Sequence, residues 1–161
     1  MLPEHPARPR PPGGDRPSHT RPAHLGLVFA GGMAGTLARF ALAELIPTPA
    51  ALPLGILLIN LTGAFALGLL LEALARRGPD EGRRRALRLL FGTGFLGGFT
   101  TYSALAVDSA LLLDTGRVVE GLAYLAVSVV VGLSATAAGI AAGRLVPPRR
   151  TSPGAGSGGG L

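Results

Sequence analysis

The chain has 161 residues, of which 48% are apolar and only 15% charged, with 25 glycines, 14 prolines, no cysteine and no tryptophan. All 15 basic residues are arginines, set against 9 acidic ones, for a net charge of +6. Soluble domains average about 25% charged residues, and one core of this size could not bury the four long apolar stretches, so the composition argues against both a soluble enzyme and a disordered chain. The lack of cysteine removes disulfides, thiolate metal sites and cysteine nucleophiles.

In chain order, residues 1–23 form a proline- and arginine-rich segment, predicted to be a disordered basic arm with polyproline character. It lacks the pattern of a signal peptide, since no cleavage site follows the apolar run. A transmembrane domain is expected over residues 24–146, with spans at about 25–46, 54–75, 86–113 and 118–143. Each span is roughly 20 residues or more, the helix length that crosses a hydrocarbon core about 30 Å thick. A soluble helical bundle is the alternative, but no window carries a wide polar face. Residues 147–161 form a second, Gly- and Pro-rich tail, also predicted to be disordered. The expected fold is thus an all-α integral membrane protein of four helices.

The arginines orient it. Arg8, Arg10, Arg16 and Arg21 precede the first span. Arg76, Arg77, Arg83, Arg84, Arg85 and Arg88 lie in the loop between the second and third spans and at the start of the third, and Arg144, Arg149 and Arg150 follow the fourth. With four spans these thirteen share one side; Arg117 alone lies opposite and Arg39 falls inside the first span. By the positive-inside rule both termini are expected in the cytoplasm. Gly31 and Gly35, Gly94 and Gly98, and Gly139 and Gly143 each make a GxxxG spacing, which permits close helix approach in lipid. So thin a bundle favours a path between subunits over one inside a single chain.

Polar groups within spans are costly and point to function or to specific bonding. Arg39 and Asn60 stand out. Glu44, Glu72 and Asp114 read as interfacial residues, and the depth of Asp108 depends on how the third span runs. That span contains Gly97-Gly98-Phe99-Thr100-Thr101-Tyr102-Ser103, a poor helix sequence at its centre. A mid-membrane break survives only where it is buried in protein or lines a wet cavity, and its freed backbone groups can face ions. Tyr124 and Ser128, four apart, share one face of the fourth span.

Together these segments resemble the Fluc (CrcB-type) fluoride channel family over about residues 26–145. Gly31-Gly32-Met33-Ala34-Gly35-Thr36-Leu37-Ala38-Arg39-Phe40 is similar to its GGxxGxxxRY/F signature. Gly55 through Asn60 to Gly63 and Phe65 is similar to GTLxVNxxGxF, and Gly94 through Ser103 to GxxGGxTTFS. The resemblance implies passive, fluoride-selective export through antiparallel dimers with pores along the subunit interface. It implies a structural Na⁺ at the dimer centre, held by the backbone carbonyls of Gly97 and Thr100. It implies a fluoride path lined by Asn60, Tyr102, Ser103, Tyr124 and Ser128, with Arg39 near the aqueous vestibule. Hydroxyl and amide donors at such positions suit an anion that must shed water.

Two departures bear on this reading. Tyr102 and Leu105 stand where the family carries two pore-lining Phe rings, and Leu offers no ring edge. Gly132, one turn beyond Ser128, shortens the expected hydroxyl track. The missing ring and the one-sided arginines suggest a heterodimer with a related chain of opposite orientation; a dual-topology homodimer is the other possibility. Two further alternatives are a small four-span proton-coupled drug exporter, which needs a carboxylate in mid-first-span where this chain has only Glu44, and a non-conducting assembly subunit. No nucleic-acid partner is expected, and His5, His19 and His24 show no catalytic or metal spacing.

Overall fold

The structure is a computed structural model and describes residues 22–46 and 53–147. The two predicted tails therefore lie outside the described residues, apart from the first helix beginning at Pro22 and the last described residue being Pro147.

Among the described residues four helices are long and apolar enough to cross a membrane. The first is α1 (Pro22–Leu45) and the second α2 (Leu54–Ala75), the latter entered from Pro53. The third span, Gly82–Asp114, is segmented. It comprises α3 (Gly82–Leu87), a π-helical stretch (Arg88–Leu96), the single turn α4 (Gly97–Phe99) and α5 (Tyr102–Asp114). The fourth is α6 (Val118–Arg144), reached through a turn in which Gly116 takes φ +78°, a left-handed conformation that costs glycine little.

Thr100 and Thr101 are both extended, at φ −83°, ψ 155° and φ −146°, ψ 124°. The predicted break is therefore present. The π stretch ahead of it was not expected: its i→i+5 winding is rare and is found mostly as short bulges, frequently at functional sites.

The span changes partner along its length. Its π stretch and α4 pack on α1, whereas α5 packs on α6, which in turn lies along α2. Glycines make the two long contacts possible. A Cβ on Gly35 would collide with the Phe95 carbonyl, and one on Gly139 with the Phe65 carbonyl. In lipid such close backbone approach replaces the hydrophobic drive that folds soluble proteins.

Little of the chain is enclosed. Among the described residues Ile59 is the one large side chain fully buried, and Leu105, Leu112 and Tyr124 form a small cluster. Phe29, Leu37, Val119 and Leu133 are each at least 66% exposed. Faces this apolar need lipid or another subunit around them.

Between α2 and α3 the loop is held by its own arginines. Arg84 donates to the Pro79 carbonyl and to the Arg77 carbonyl, both at 2.8 Å. Arg88 donates twice to Asp80 Oδ2, at 3.1 and 2.7 Å. The Arg88 guanidinium, with Arg85 behind it, holds the Asp80 carboxyl below its ordinary value.

Candidate functional site at the third-span break

Breaking a helix frees backbone groups that must find partners inside a membrane. At Thr101 the partner is Asn60. The Thr101 N–H donates to Asn60 Oδ1 at 2.8 Å, and Asn60 Nδ2 donates to the Thr101 carbonyl at 2.9 Å. The amide thus pairs with one residue's backbone as a neighbouring strand would. Thr101 Oγ1 in turn accepts from the Ala104 N–H at 3.3 Å, capping α5, and shares a hydrogen bond with Ser103 Oγ at 3.1 Å.

These bonds redirect two helical donors. The Thr101 N–H would otherwise serve the Gly97 carbonyl, and the Ala104 N–H the Thr100 carbonyl, four residues back in each case. Gly97 is exposed and Thr100 half-buried. The carbonyl between them, that of Gly98, is occupied from α1: Arg39 Nε donates to it at 3.3 Å and Thr36 Oγ1 at 3.5 Å. Arg39 is therefore half-buried against the break.

An open groove of about 460 Å³ leads away from the break. Asn60, Gly97, Thr100, Tyr102, Leu105 and Ser128 all line it. So do Thr101 of the predicted break and, beyond what sequence reasoning had singled out, Thr93 and Thr136. Tyr102 is 81% exposed, its ring standing clear of the chain. Ser128 Oγ donates to the Tyr124 carbonyl at 2.6 Å, and Thr136 Oγ1 to the Gly132 carbonyl at 3.1 Å. The hydroxyls on α6 thus resume one turn beyond Gly132; the spacing of Ser128, Gly132 and Thr136 by fours was the available signal.

Tyr124 is placed differently. It is buried against Leu105 and Leu112, and its hydroxyl donates to the Pro53 carbonyl at 3.3 Å. Ser103 is exposed beside Thr101 and is not part of the groove wall. Asp108, on the same stretch of α5, keeps a buried Oδ2 with no hydrogen-bond partner among the described residues. Glu72, read as interfacial, lies 3.9 Å from Arg144 near the end of α2. Among the described residues no three His, Cys, Asp or Glu side chains gather as a metal site.

Residues 26–140 match the family model described as CrcB-like protein, Camphor Resistance (CrcB). The chain is 50% identical over 134 residues to the fluoride-specific ion channel FluC 2 of Leifsonia xyli subsp. xyli, covering 83% of this chain and 92% of that one. It is 50% identical over 133 residues to FluC 1 of Cutibacterium acnes, covering 82% and 93%. It is 44% identical over 119 residues to FluC of Paracoccus denitrificans, covering 73% and 91%. With four apolar helices and relatives named as ion channels rather than enzymes, this is a multi-pass membrane protein, and the chain belongs to the CrcB-like family.

Proposed function

We propose that the protein is a subunit of a fluoride channel that exports fluoride passively across the cell membrane and so limits its toxicity. The observation that carries this reading is a row of small hydrogen-bond donors along one groove of an otherwise apolar surface, starting from the Asn60–Thr101 pair. The Asn60 amide has a second N–H beyond the one given to Thr101. With the Thr93 and Tyr102 hydroxyls, and with those of Thr101, Ser128 and Thr136 once they turn from Ser103 and from the Tyr124 and Gly132 carbonyls, it offers donors in place of water to a small, strongly hydrated anion. The relatives' names supply the anion.

The groove is open along its length, so a second subunit closes it. An antiparallel pairing places two such grooves along the interface. The carbonyls of Gly97 and Thr100, whose helical donors are redirected, suit a hard cation such as Na⁺ at the centre. Such a cation would supply positive potential favouring anion entry. Thirteen arginines on one side favour a single orientation with cytoplasmic termini, and Leu105 lacks the ring edge, so the second subunit is a related chain of opposite orientation.

Fluoride efflux from liposomes tests this, with chloride as control. This chain with its related partner is expected to give fluoride-selective efflux, and this chain alone little. Strong efflux from the chain alone would replace the heterodimer by a homodimer. No efflux from the well-folded pair would overturn the channel reading.

A further inference from the structure

Six arginines, Arg76, Arg77, Arg83, Arg84, Arg85 and Arg88, follow α2 and open the third span, and the structure divides them by what their side chains do. Arg84, Arg85 and Arg88 are committed to the loop itself through Pro79, Arg77 and Asp80. Arg76 is exposed but lines neither hollow described below, whereas the side chains of Arg77 and Arg83 are exposed and make no hydrogen bond or ion pair among the described residues. Both face one pocket of about 610 Å³, whose wall also includes Arg84, Glu81 and Pro147. Three guanidinium groups against one carboxylate leave it an excess of two positive charges.

That pocket does not stand alone. Arg77 also lines a second hollow, of about 440 Å³, whose other walls are wholly apolar: Leu69, Leu70 and Ala73 of α2 face Phe91 and Phe95 of the π stretch. Val146 lines this crevice, and the next residue, Pro147, lines the basic pocket. From Ala73 the crevice runs along α2 to Ala66, roughly 10 Å at helical rise, away from the arginines and into the span. A charged receptacle at the end of the spans thus adjoins, across the shared Arg77 side chain, an apolar slot that runs along α2.

We infer that this composite site holds one anionic phospholipid, its phosphodiester headgroup between Arg77 and Arg83 and an acyl chain in the crevice. Guanidinium groups pair with phosphate oxygens through fixed forks, and basic pockets on the cytoplasmic side of transmembrane helices are suited to acidic headgroups. Arg77 and Arg83 are the two arginines of this loop that line the pocket and remain free to do so. A soluble phosphate would use the basic pocket and leave the crevice empty; a second protein subunit would fill the crevice and leave the arginines unpaired. A lipid meets both halves at once.

The test is native mass spectrometry of the purified full chain with added phosphatidylglycerol or phosphatidylcholine. One phosphatidylglycerol is expected to remain bound at least fivefold more than phosphatidylcholine. R77Q/R83Q, two exposed changes that leave the helices alone, should bring the two lipids level, while R117Q at the opposite end should leave the preference intact. Ala73→Leu, which crowds the crevice, should lower retention of phosphatidylglycerol even with both arginines present. Equal retention of the two lipids by the unaltered chain would overturn the assignment, as would a preference that survives R77Q/R83Q. Full displacement by millimolar inorganic phosphate would show a headgroup-only site. Protection of the crevice by a second subunit, seen as lipid binding lost on dimer formation, would reassign it to the interface.

Discussion

The side chain of Asn60 and the backbone of Thr101 are joined by two hydrogen bonds of opposite direction, at 2.9 and 2.8 Å. A residue about two turns into α2 thereby satisfies the donor and the acceptor that the third span exposes when it unwinds. The same pairing redirects the N–H that would have served the Gly97 carbonyl, so one amide both stabilises the break and leaves an oxygen available.

Asn60→Ala removes both bonds and leaves two half-buried backbone groups unpaired. A cost of about 1–3 kcal/mol is expected, with efflux lost. Asn60→Asp keeps the acceptor for the Thr101 N–H but offers no donor, so it should fold better than the alanine variant and still fail to conduct. Thermal unfolding in detergent, read beside liposome efflux, checks both; an alanine variant as stable as the parent would show that the pairing contributes nothing.

Gly35 and Gly132 should respond oppositely to alanine. A methyl group at Gly35 meets the Phe95 carbonyl, a backbone atom that cannot swing aside. Forcing α1 from the π stretch is expected to cost at least ~1–3 kcal/mol. At Gly132 nothing lies within 4 Å of the added atom, so alanine should be neutral or stabilising by up to about 1 kcal/mol through helix propensity. Elution profiles and melting curves of the two variants decide this.

Orientation is open to direct labelling because the chain has no cysteine of its own. Glu81→Cys, on the arginine-rich side, should react with an impermeant maleimide only from the cytoplasm. Asp114→Cys, exposed at the far end of α5, should react only from outside. Equal labelling of either position from both faces would mean dual insertion, and with it a homodimer.

The loop between the second and third spans should weaken in acid. Arg88 and Arg85 hold the Asp80 carboxyl below its ordinary value. A lowered pKa in the folded state gives stability that is complete above the ordinary carboxylate value and is lost as pH falls through the folded one. Proteolysis of the 76–88 segment should therefore be independent of pH from about 5 to 8 and accelerate below about 4. Asp80→Asn should be sensitive throughout. Asp80 is largely solvent-exposed, so the effect should be local and screened by salt.

Much of the architecture was legible in the residues because a membrane imposes a length and a polarity on anything that crosses it. Four apolar runs of sufficient length predicted four helices, and Gly97-Gly98 followed by two threonines predicted an interruption in the third, which the structure places at Thr100–Thr101. These are one-dimensional constraints, written in composition and local propensity. The π stretch over Arg88–Leu96 was not readable, since its sequence differs little from that of an ordinary glycine-containing helix, and neither was its close seat against Gly31 and Gly35 of α1. Nor could the sequence show which polar residues meet. Asn60 and Thr101 are 41 positions apart, and Arg39 and Gly98 are 59 apart. Tyr124 and Ser128 share a helix face by spacing, yet the tertiary packing turns Tyr124 into the Leu105 cluster and leaves Ser128 on the groove. A helix face wider than one side chain holds both a buried edge and an open edge, and only the neighbouring helices decide which residue falls on which.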